Sequence, residues 1–322
     1  MSFTGHGAYA AVRRPGPRRR RRPAVAVVAV LLAGGGLAGA LALVPTGTEQ
    51  RSDDVAGVTR LTVRNPTGGA VEVRADSGAE AVTLLRSLRS GLAASPMETV
   101  HQEGGTLSVA AECTGPLPGP CSVDYTITVP EDITVVAEST SGAVDVLGVR
   151  GAVTVRGTSG AVGLSDVTGD VDVATTTGTV HASGRGDALA AESSTGDLDL
   201  SGFTAATAEA TTSTGAIRMG AVQQADVSAT TGAVELTAPG GFERVAVETT
   251  TGSVDVTVSA AFRELAVTTT TGAVDLRVPD AAYRVTGAST TGDRAVDVAT
   301  AADARAVISV DTTTGSVAIR PE

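Results

Sequence analysis

The residues that could carry out chemistry are few, and they are spread along the chain instead of forming a recognisable cluster. Only three histidines occur, His6, His101 and His181, and the chain has no Lys and no Trp. The spacings typical of a serine hydrolase elbow, a phosphate-binding loop, a zinc protease helix or a zinc finger are all missing from the sequence. We therefore predict no catalytic residue, no cofactor and no bound metal.

A row of mostly acidic residues is the strongest candidate for binding an ion. If neighbouring repeats stack as strands about 4.8 Å apart, adjacent carboxylates would repel one another, and Ca²⁺ could bridge them. Arg218 would relieve this repulsion without a metal, and the calcium-binding G-G-x-G-x-D repeat is absent. We predict a solvated acidic face on which His181 is an ordinary surface residue. The row lies three residues after a recurrent Gly and contains Asp145, Gly163, His181, Asp199, Arg218, Glu235, Asp255 and Asp275.

Two other patterns resemble binding motifs. Thr249 with Thr251, and Thr269 with Thr271, resemble the Thr-x-Thr arrays of ice-binding solenoids. They share the phase of neighbouring Val and Leu residues, so we expect them to point inward, which argues against ice binding. Residues 185–187 form an RGD tripeptide, which chance explains in a chain so rich in these three residues.

A repeat of about twenty residues must position these side chains. Apolar and polar residues alternate on both sides of its Gly, which is the period of half-buried strands and not of helices. Such short units cannot bury their apolar faces alone, so we predict an all-β solenoid (β-helix) of about ten stacked coils. Two Ser or Thr residues precede each recurrent Gly, and the positions are Gly142, Gly160, Gly178, Gly196, Gly215, Gly232, Gly252, Gly272, Gly292 and Gly315, at intervals of 17–23 residues.

The recurrent motif is interpreted as a structural corner. Gly permits unusual backbone angles, and the neighbouring hydroxyls can bond to backbone groups that the turn leaves unpaired. Only the coil of Gly292 departs from the pattern, because its apolar pair shifts to Val296 and Val298. A second recurrent position predicts an internal ladder at the opposite corner, with an exposed sugar-stacking strip as the alternative. That position holds Val149, Val167, Phe203, Val222, Phe242, Phe262 and Tyr283.

The first 57 residues differ from the rest of the chain. Residues 1–23 contain seven Arg and no acid, residues 24–44 carry no charge, and residues 45–57 are predicted to be a polar linker. A helix over residues 24–44 would span about 30 Å, the thickness of a bilayer core. The Arg cluster predicts a cytoplasmic N-terminus and an extracytoplasmic body. The apolar length favours an uncleaved membrane anchor over a cleaved signal peptide, for which Ala40 and Ala42 would supply the site.

Residues 58–322 are predicted to be the solenoid, with an irregular part at 58–130 and regular repeats at 131–322. The leucine spacing of residues 79–92 predicts a short helix that covers the N-terminal end. Strands are expected at 107–111 and 123–129, and Cys113 and Cys121 are expected to form a disulfide between them. At the other end, residues 320–322 are expected to blunt the last strand edge, which favours a monomer over a dimer.

The segments "LTVRNPTGG" and "YTITVPEDITVVAESTSGAVDVLGVRGAVTV", followed by the Ser/Thr-Gly repeats, resemble the DUF4097 family of adhesin-like proteins. The resemblance covers about residues 58–322. It implies a β-solenoid at the bacterial envelope, and some members are associated with envelope-stress systems. It implies no catalytic residues.

We predict a non-enzymatic, single-pass membrane protein whose extracytoplasmic solenoid is an adhesin-like structural or binding module. One alternative is an accessory role in envelope-stress signalling, and the other is a carbohydrate-active β-helix enzyme. The expected partners are the membrane and an envelope protein or cell-surface ligand. Nucleic acid is not expected, because residues 24–322 carry 17 Arg against 35 Asp and Glu.

Overall fold

The computed structural model describes residues 47–116 and 119–322. All of the regular secondary structure in this part of the chain is β-strand, which confirms the predicted all-β solenoid. The predicted basic tail and membrane span lie outside the described residues. Within residues 47–116 and 119–322, no helix is long and apolar enough to cross a membrane.

The irregular N-terminal part contains seven strands. Their apolar residues alternate with polar ones, so each strand has one face that can enter the core. The strands are β1 (Gly47–Ala56), β2 (Arg60–Asn65), β3 (Val71–Ala75), β4 (Ala81–Ser90), β5 (Ser95–Glu103), β6 (Thr106–Thr114) and β7 (Ser122–Val129).

The repeats supply the remaining twenty strands. In most coils one strand precedes the recurrent Gly and one follows it, as the sequence predicts. The strands are β8 (Thr134–Ser139), β9 (Val144–Leu147), β10 (Val153–Ser159), β11 (Val162–Thr168), β12 (Val171–Thr177), β13 (Val180–Thr195), β14 (Leu198–Thr214), β15 (Ile217–Met219), β16 (Val222–Thr231), β17 (Val234–Ala238), β18 (Arg244–Thr251), β19 (Val254–Val258), β20 (Glu264–Thr271), β21 (Val274–Val278), β22 (Ala282–Thr286), β23 (Ser289–Thr291), β24 (Arg294–Val296), β25 (Ala299–Thr300), β26 (Val307–Thr314) and β27 (Val317–Pro321).

Successive coils pair in parallel and in register, which builds one continuous apolar core. Val153 lies opposite Val171, and Val171 lies opposite Leu189 in the next coil. Inward residues are almost completely buried, as at Val254, whereas the adjacent Asp255 is exposed. The alternation seen in the sequence therefore separates the core from the surface.

The recurrent glycines form a column in which the backbones of neighbouring coils nearly touch. A Cβ on Gly252 would lie 1.8 Å from the carbonyl oxygen of Gly232, and a Cβ on Gly272 would lie 1.8 Å from that of Gly252. The same contact recurs at all ten recurrent glycines, the first of which, Gly142, lies on Gly69. Close backbone approach requires Gly at this corner, and at six of the ten positions a positive φ, such as +135° at Gly160, adds to the requirement.

The hydroxyl residues before each Gly divide between the core and the surface. Thr249 and Thr269 are each 2% exposed and point inward, as predicted. Thr251 and Thr271 are exposed, so the prediction that they too point inward is wrong. The strand turns toward the Gly column at this corner, and the alternation of faces is lost there.

The predicted internal ladder at the opposite corner is confirmed. All seven of its residues are buried. The rings of Phe242 and Phe262 stack with centroids 5.0 Å apart, and those of Phe262 and Tyr283 stack at 5.3 Å. These aromatic side chains therefore fill the core and do not form a sugar-binding strip.

At the N-terminal end, the first two coils are stacked in exchanged order. Strand β2 lies between β6 and β8, and β3 lies between β7 and β9, so the first coil in sequence is the second layer. Strand β4 then adds to β7, β1 adds to β4, and β5 adds to β6, all antiparallel.

Two predictions for this end are wrong. The segment expected to be a covering helix is strand β4, because Leu84 and Leu88 also fit a period of two and face the core. The segment expected to be a linker contains strand β1, whose ten residues all pair with β4.

The C-terminal end shows the same exchange. Strands β26 and β27 lie between the β20–β21 coil and the coil of β22–β24. The last strand in sequence therefore has partners on both sides, and the prediction that residues 320–322 blunt an open end is wrong. The coil of Gly292 keeps its register, since Arg294 and Val296 lie opposite Val317 and Ile319, but the predicted apolar pair does pack on the core: Val298 is 8% exposed and Val296 is partly buried.

The composition of the two coils explains this exchange. The last coil reads "VISVDTTTGSVAI" and places Ile308, Val310, Val317 and Ile319 at inward positions, with Thr312 as its one polar inward residue. The coil before it places Gly287 and Arg294 at inward positions and is largely exposed. Burial of apolar surface therefore favours the last coil inside and the more polar coil at the end.

Candidate functional site

The histidines of the described chain do not lie in a catalytic arrangement. The His181 side chain is 57% exposed, and its Nδ1 lies 3.4 Å from Asp199 Oδ2. The His101 side chain is 67% exposed and lies 3.6 Å from Glu103. Within residues 47–116 and 119–322, no group of three or more His, Cys, Asp or Glu side chains could hold a metal ion.

The predicted acidic row lies on the outer face of the strands that follow the Gly column. We call it the second-strand row, and it consists of the eight residues named above together with Glu72, which lies opposite Asp145. Arginines compensate much of its charge. Arg218 lies 3.5 Å from Glu235, and Asp275 pairs with both Arg277 and Arg320.

Two carboxyl groups of this row have shifted pKa values. Hydrogen bonding from the Ser201 hydroxyl, helped by its backbone N–H and by His181, lowers the pKa of Asp199 against the opposing effect of burial. Burial, with a smaller contribution from Glu72, raises the pKa of Asp145. The row is a surface of local ion pairs and hydrogen bonds.

The strands that precede the Gly column carry a different kind of surface. Three adjoining depressions on these strands, and a fourth at the corner that leads into them, share lining residues and form one open trough, which we call the first-strand groove. The widest depression has a volume of about 800 Å³ and includes the RGD tripeptide at residues 185–187. The acidic residues that line the groove are Asp170, Asp172, Asp187, Glu192, Glu209, Asp226 and Glu248.

Small side chains form the floor of the groove. Ala188 and Ala190 lie in its middle, and Ala246 and Ala266 continue the floor toward the C-terminal coils. Because Ala projects little from a strand, the longer acidic side chains of adjacent positions rise above this floor. The groove therefore combines an apolar base with acidic walls.

The acids of the first-strand groove are mostly without ion-pair partners. Asp172 pairs with Arg156, which lies outside the groove, and Asp170 accepts a hydrogen bond from the Ala188 N–H at 3.0 Å. The salt bridges found among residues 47–116 and 119–322 include none to the other five acids. Sequence reasoning missed this groove, although its acids follow the outward phase of the first strands.

A buried charged cluster lies at the N-terminal end of the core. Arg86 Nη1 donates to Glu98 Oε2 at 2.9 Å, and these side chains are 5% and 3% exposed. Arg86 also pairs with Asp53. Burial, followed by the negative charge of Glu98, raises the pKa of the adjacent Tyr125 well above its usual value. The cluster closes the end of the core, and sequence analysis missed it because residues 79–92 were read as a helix.

The two cysteines lie beside this end of the solenoid. Cys113 and Cys121 form a disulfide with a Cα–Cα distance of 6.0 Å. It links the end of β6 to the segment that leads into β7, and the two cysteines are eight positions apart in the sequence.

Comparison with known proteins identifies relatives of the fold. The sequence profile of the family described as Toastrack DUF4097 matches residues 98–320, which is more than half of the chain. No curated protein matches the sequence.

Three solved structures illustrate this similarity. A "putative adhesin" from Bacteroides fragilis is 15% identical with a TM-score of 0.46, covering 72% of this chain and 97% of its own. A "putative adhesin" from Parabacteroides merdae is 12% identical with a TM-score of 0.42, covering 86% and 97%. A "putative lipid binding protein" from Parabacteroides distasonis is 12% identical with a TM-score of 0.40, covering 84% and 98%. At these identities and TM-scores, none of the three indicates what this chain binds.

Proposed function

The chain belongs to the Toastrack DUF4097 family, and from this premise we propose that it is a non-enzymatic, adhesin-like binding module of the bacterial cell envelope. Residues 24–44 anchor it in the membrane, and the solenoid lies outside the cytoplasm. The envelope-stress role stays an alternative, and it shares with this proposal a surface that binds another envelope component.

The first-strand groove is the observation that carries this proposal. It lies on paired strands of a continuous sheet, so its walls are held in fixed positions. It is open along its length, and its lining includes no histidine and no cysteine. Such a surface supports binding of an extended ligand, whereas catalysis requires convergent groups held around one reacting atom.

The carbohydrate-active alternative gains no support from the groove. Its lining residues include no aromatic side chain on which a sugar ring could stack. The aromatic residues of the ladder are buried in the core instead. A paired-carboxylate glycosidase would also need its two carboxyl groups to flank a cleft that grips the substrate.

The disulfide and the N-terminal sequence support an extracytoplasmic position. Disulfides persist mainly in oxidising compartments outside the cytoplasm. The uncharged segment at 24–44 follows a cluster of five consecutive arginines at 18–22, and such clusters stay on the cytoplasmic side.

A pair of reporter fusions tests the proposal. We expect a reporter that is active only outside the cytoplasm to be active when it is fused after Glu322, and a reporter that is active only inside to be silent. Replacing Arg18–Arg22 with Glu is the matched control and should reduce export, because the charge bias that sets orientation is lost. Activity of only the cytoplasmic reporter would contradict the proposed location.

A further inference from the structure

We propose that the first-strand groove binds an extended, Lys- or Arg-rich polypeptide segment of another envelope protein. This inference rests on the proposed function and names the class of partner that the groove recognises. Of the eight charged residues that line the groove, seven are acidic and only Arg185 is basic. A cationic partner is therefore the one that matches its charge.

The second-strand row shows that acidity is not handled in the same way everywhere on this solenoid. In that row Arg218 pairs with Glu235, and Arg277 and Arg320 pair with Asp275. Of the seven groove acids only Asp172 forms an ion pair within the described part of the chain, with Arg156, which also attracts Glu192. Arginines therefore compensate the acids of the groove less completely than those of the second-strand row.

Two groove acids stand directly opposite one another on neighbouring strands. Glu209 of β14 lies in register with Asp226 of β16, and both are exposed. Like charges directly opposite in a sheet are destabilising. A bound Lys or Arg would remove this repulsion, so the pair favours the bound state over the free state.

The floor of the groove suits the aliphatic part of such a side chain. Long basic side chains can lay their methylene stems on apolar surface while the charged group reaches a carboxylate. Ala190 and Ala246 provide that surface beside Glu209 and Asp226. The floor has no aromatic residue, which favours a peptide over an amino sugar.

The direction of the groove favours an extended segment. It crosses the coils from Asp170 to Glu248, which is four spacings of about 4.8 Å, or about 19 Å. An extended peptide of about six residues covers that distance and presents side chains to one side every second residue. The first strands between these residues are paired on both sides, so recognition depends on side chains and not on an added strand.

Peptide binding to the full chain in detergent micelles tests the inference. The probe is a fluorescent nonapeptide of alternating Lys and Ala, measured by anisotropy at low and at moderate salt. We expect saturable binding that weakens as salt rises, because screening reduces attraction between exposed charges. The groove variant combines Glu192→Gln, Glu209→Gln and Asp226→Asn and should bind at least about tenfold more weakly, by loss of complementary charge.

A matched control removes the same number of charges from the second-strand row. It combines Asp145→Asn, Glu235→Gln and Asp255→Asn, and it should stay within about twofold of the unaltered chain, because these residues lie on the other face. Equal weakening by both triple variants would overturn the inference, since it would show attraction to net charge alone. Absence of saturable binding, or tighter binding of a cationic amino-sugar oligomer of the same charge, would overturn it as well.

A second groove variant keeps every charge, so it tests the binding site even if the triple variant fails to fold. Ala190→Leu with Ala246→Leu fills the floor and should weaken peptide binding about fivefold by excluding the aliphatic stems. Unchanged binding would show that the peptide lies elsewhere. These results are independent of the reporter fusions: a chain on the expected side of the membrane that fails to bind the peptide refutes only this inference, and a chain that binds it from the cytoplasmic side refutes only the proposed location.

Discussion

The two ends of the solenoid each place an arginine where other coils place an apolar side chain. Arg86 lies in the inward row of β4, opposite Tyr125, and Arg294 lies in β24, opposite Val317. Arg86 is 6% exposed and forms ion pairs with Glu98 and Asp53. Arg294 is only half-buried, and it donates to the carbonyl oxygens of Val310 and Thr286 at 3.1 and 3.0 Å.

This difference shows two ways of closing an apolar column. The N-terminal end adds antiparallel strands and covers the last apolar residues with a buried ion pair. The C-terminal end instead moves its most apolar coil one layer inward and leaves a polar coil outside. A buried ion pair is strongly sensitive to loss of one partner, whereas an exposed hydrogen bond is worth little, so the two ends should respond differently to mutation.

Removing the last coil should have the largest effect at the C-terminal end. Truncation after Asp303 deletes Ile308, Val310, Val317 and Ile319, each at most 1% exposed. At about 1.5–3 kcal/mol for each buried side chain, the loss is comparable to the whole stability of a domain. We expect no cooperative thermal transition by circular dichroism. Deletion of only Pro321 and Glu322 is the control, and a truncated chain that melts within a few degrees of it would contradict the exchanged order.

Arg86→Ala should have the largest effect of the single substitutions at the N-terminal end. It leaves Glu98 buried without its partner, which costs about 3–5 kcal/mol in comparable cases. The free energy of unfolding, measured in urea, checks this. Replacing both residues with Met should restore most of the stability, and a loss below about 1 kcal/mol for Arg86→Ala alone would show that the ion pair does not close this end.

The N-terminal end should also lose stability at alkaline pH. Burial beside Glu98 raises the pKa of Tyr125, so its hydroxyl keeps its proton in the folded state at pH values where the unfolded chain loses it. Its contribution is complete below about pH 10 and falls by up to about 1.4 kcal/mol per pH unit above that value. Urea unfolding of Tyr125→Phe between pH 9 and 11 should show a shallower loss than the unaltered chain, and identical slopes would refute this account.

Arg294→Ala should have the smallest effect. Its two hydrogen bonds go to carbonyl groups at a largely exposed end, so we expect a loss of about 1 kcal/mol or less. The same urea measurement applies, with Arg86→Ala as the reference. A loss equal to that of Arg86→Ala would mean that both ends depend on a buried charge.

The sequence predicts the middle of this molecule far better than its ends. In the repeats, each coil packs on coils with the same alternation of apolar and polar residues. The local pattern, such as Val254 followed by Asp255, therefore predicts correctly which side chain is buried and which is exposed. At the two ends of the solenoid, the local pattern does not predict the structure that forms. Leu84 and Leu88 fit both a helix and a strand, and only the pairing of β4 with β7 decides between them.

Neither the stacking order of the terminal coils nor the first-strand groove could be predicted from the sequence, and the reasons are related. The polar inward residues Gly287 and Arg294 mark the coil that ends outside, but no local signal shows that the following coil is placed between it and an earlier one. The groove depends on which outward residues of different coils meet, as Glu209 meets Asp226, and on the absence of arginines near them. Both properties belong to contacts between coils and are not written in any single repeat.

Hydrogen exchange of the full chain tests the exchanged coil order most directly. Strand β27 lies between β21 and β24, and Val317 N–H and Glu322 N–H bond to the carbonyls of Asp293 and Val278. We therefore predict that peptides from residues 307–322 exchange slowly although they end the chain, and that peptides from residues 282–300 exchange faster. Rapid exchange at residues 317–322 together with protection at residues 282–300 would show that the coils stack in sequence order and would contradict this account.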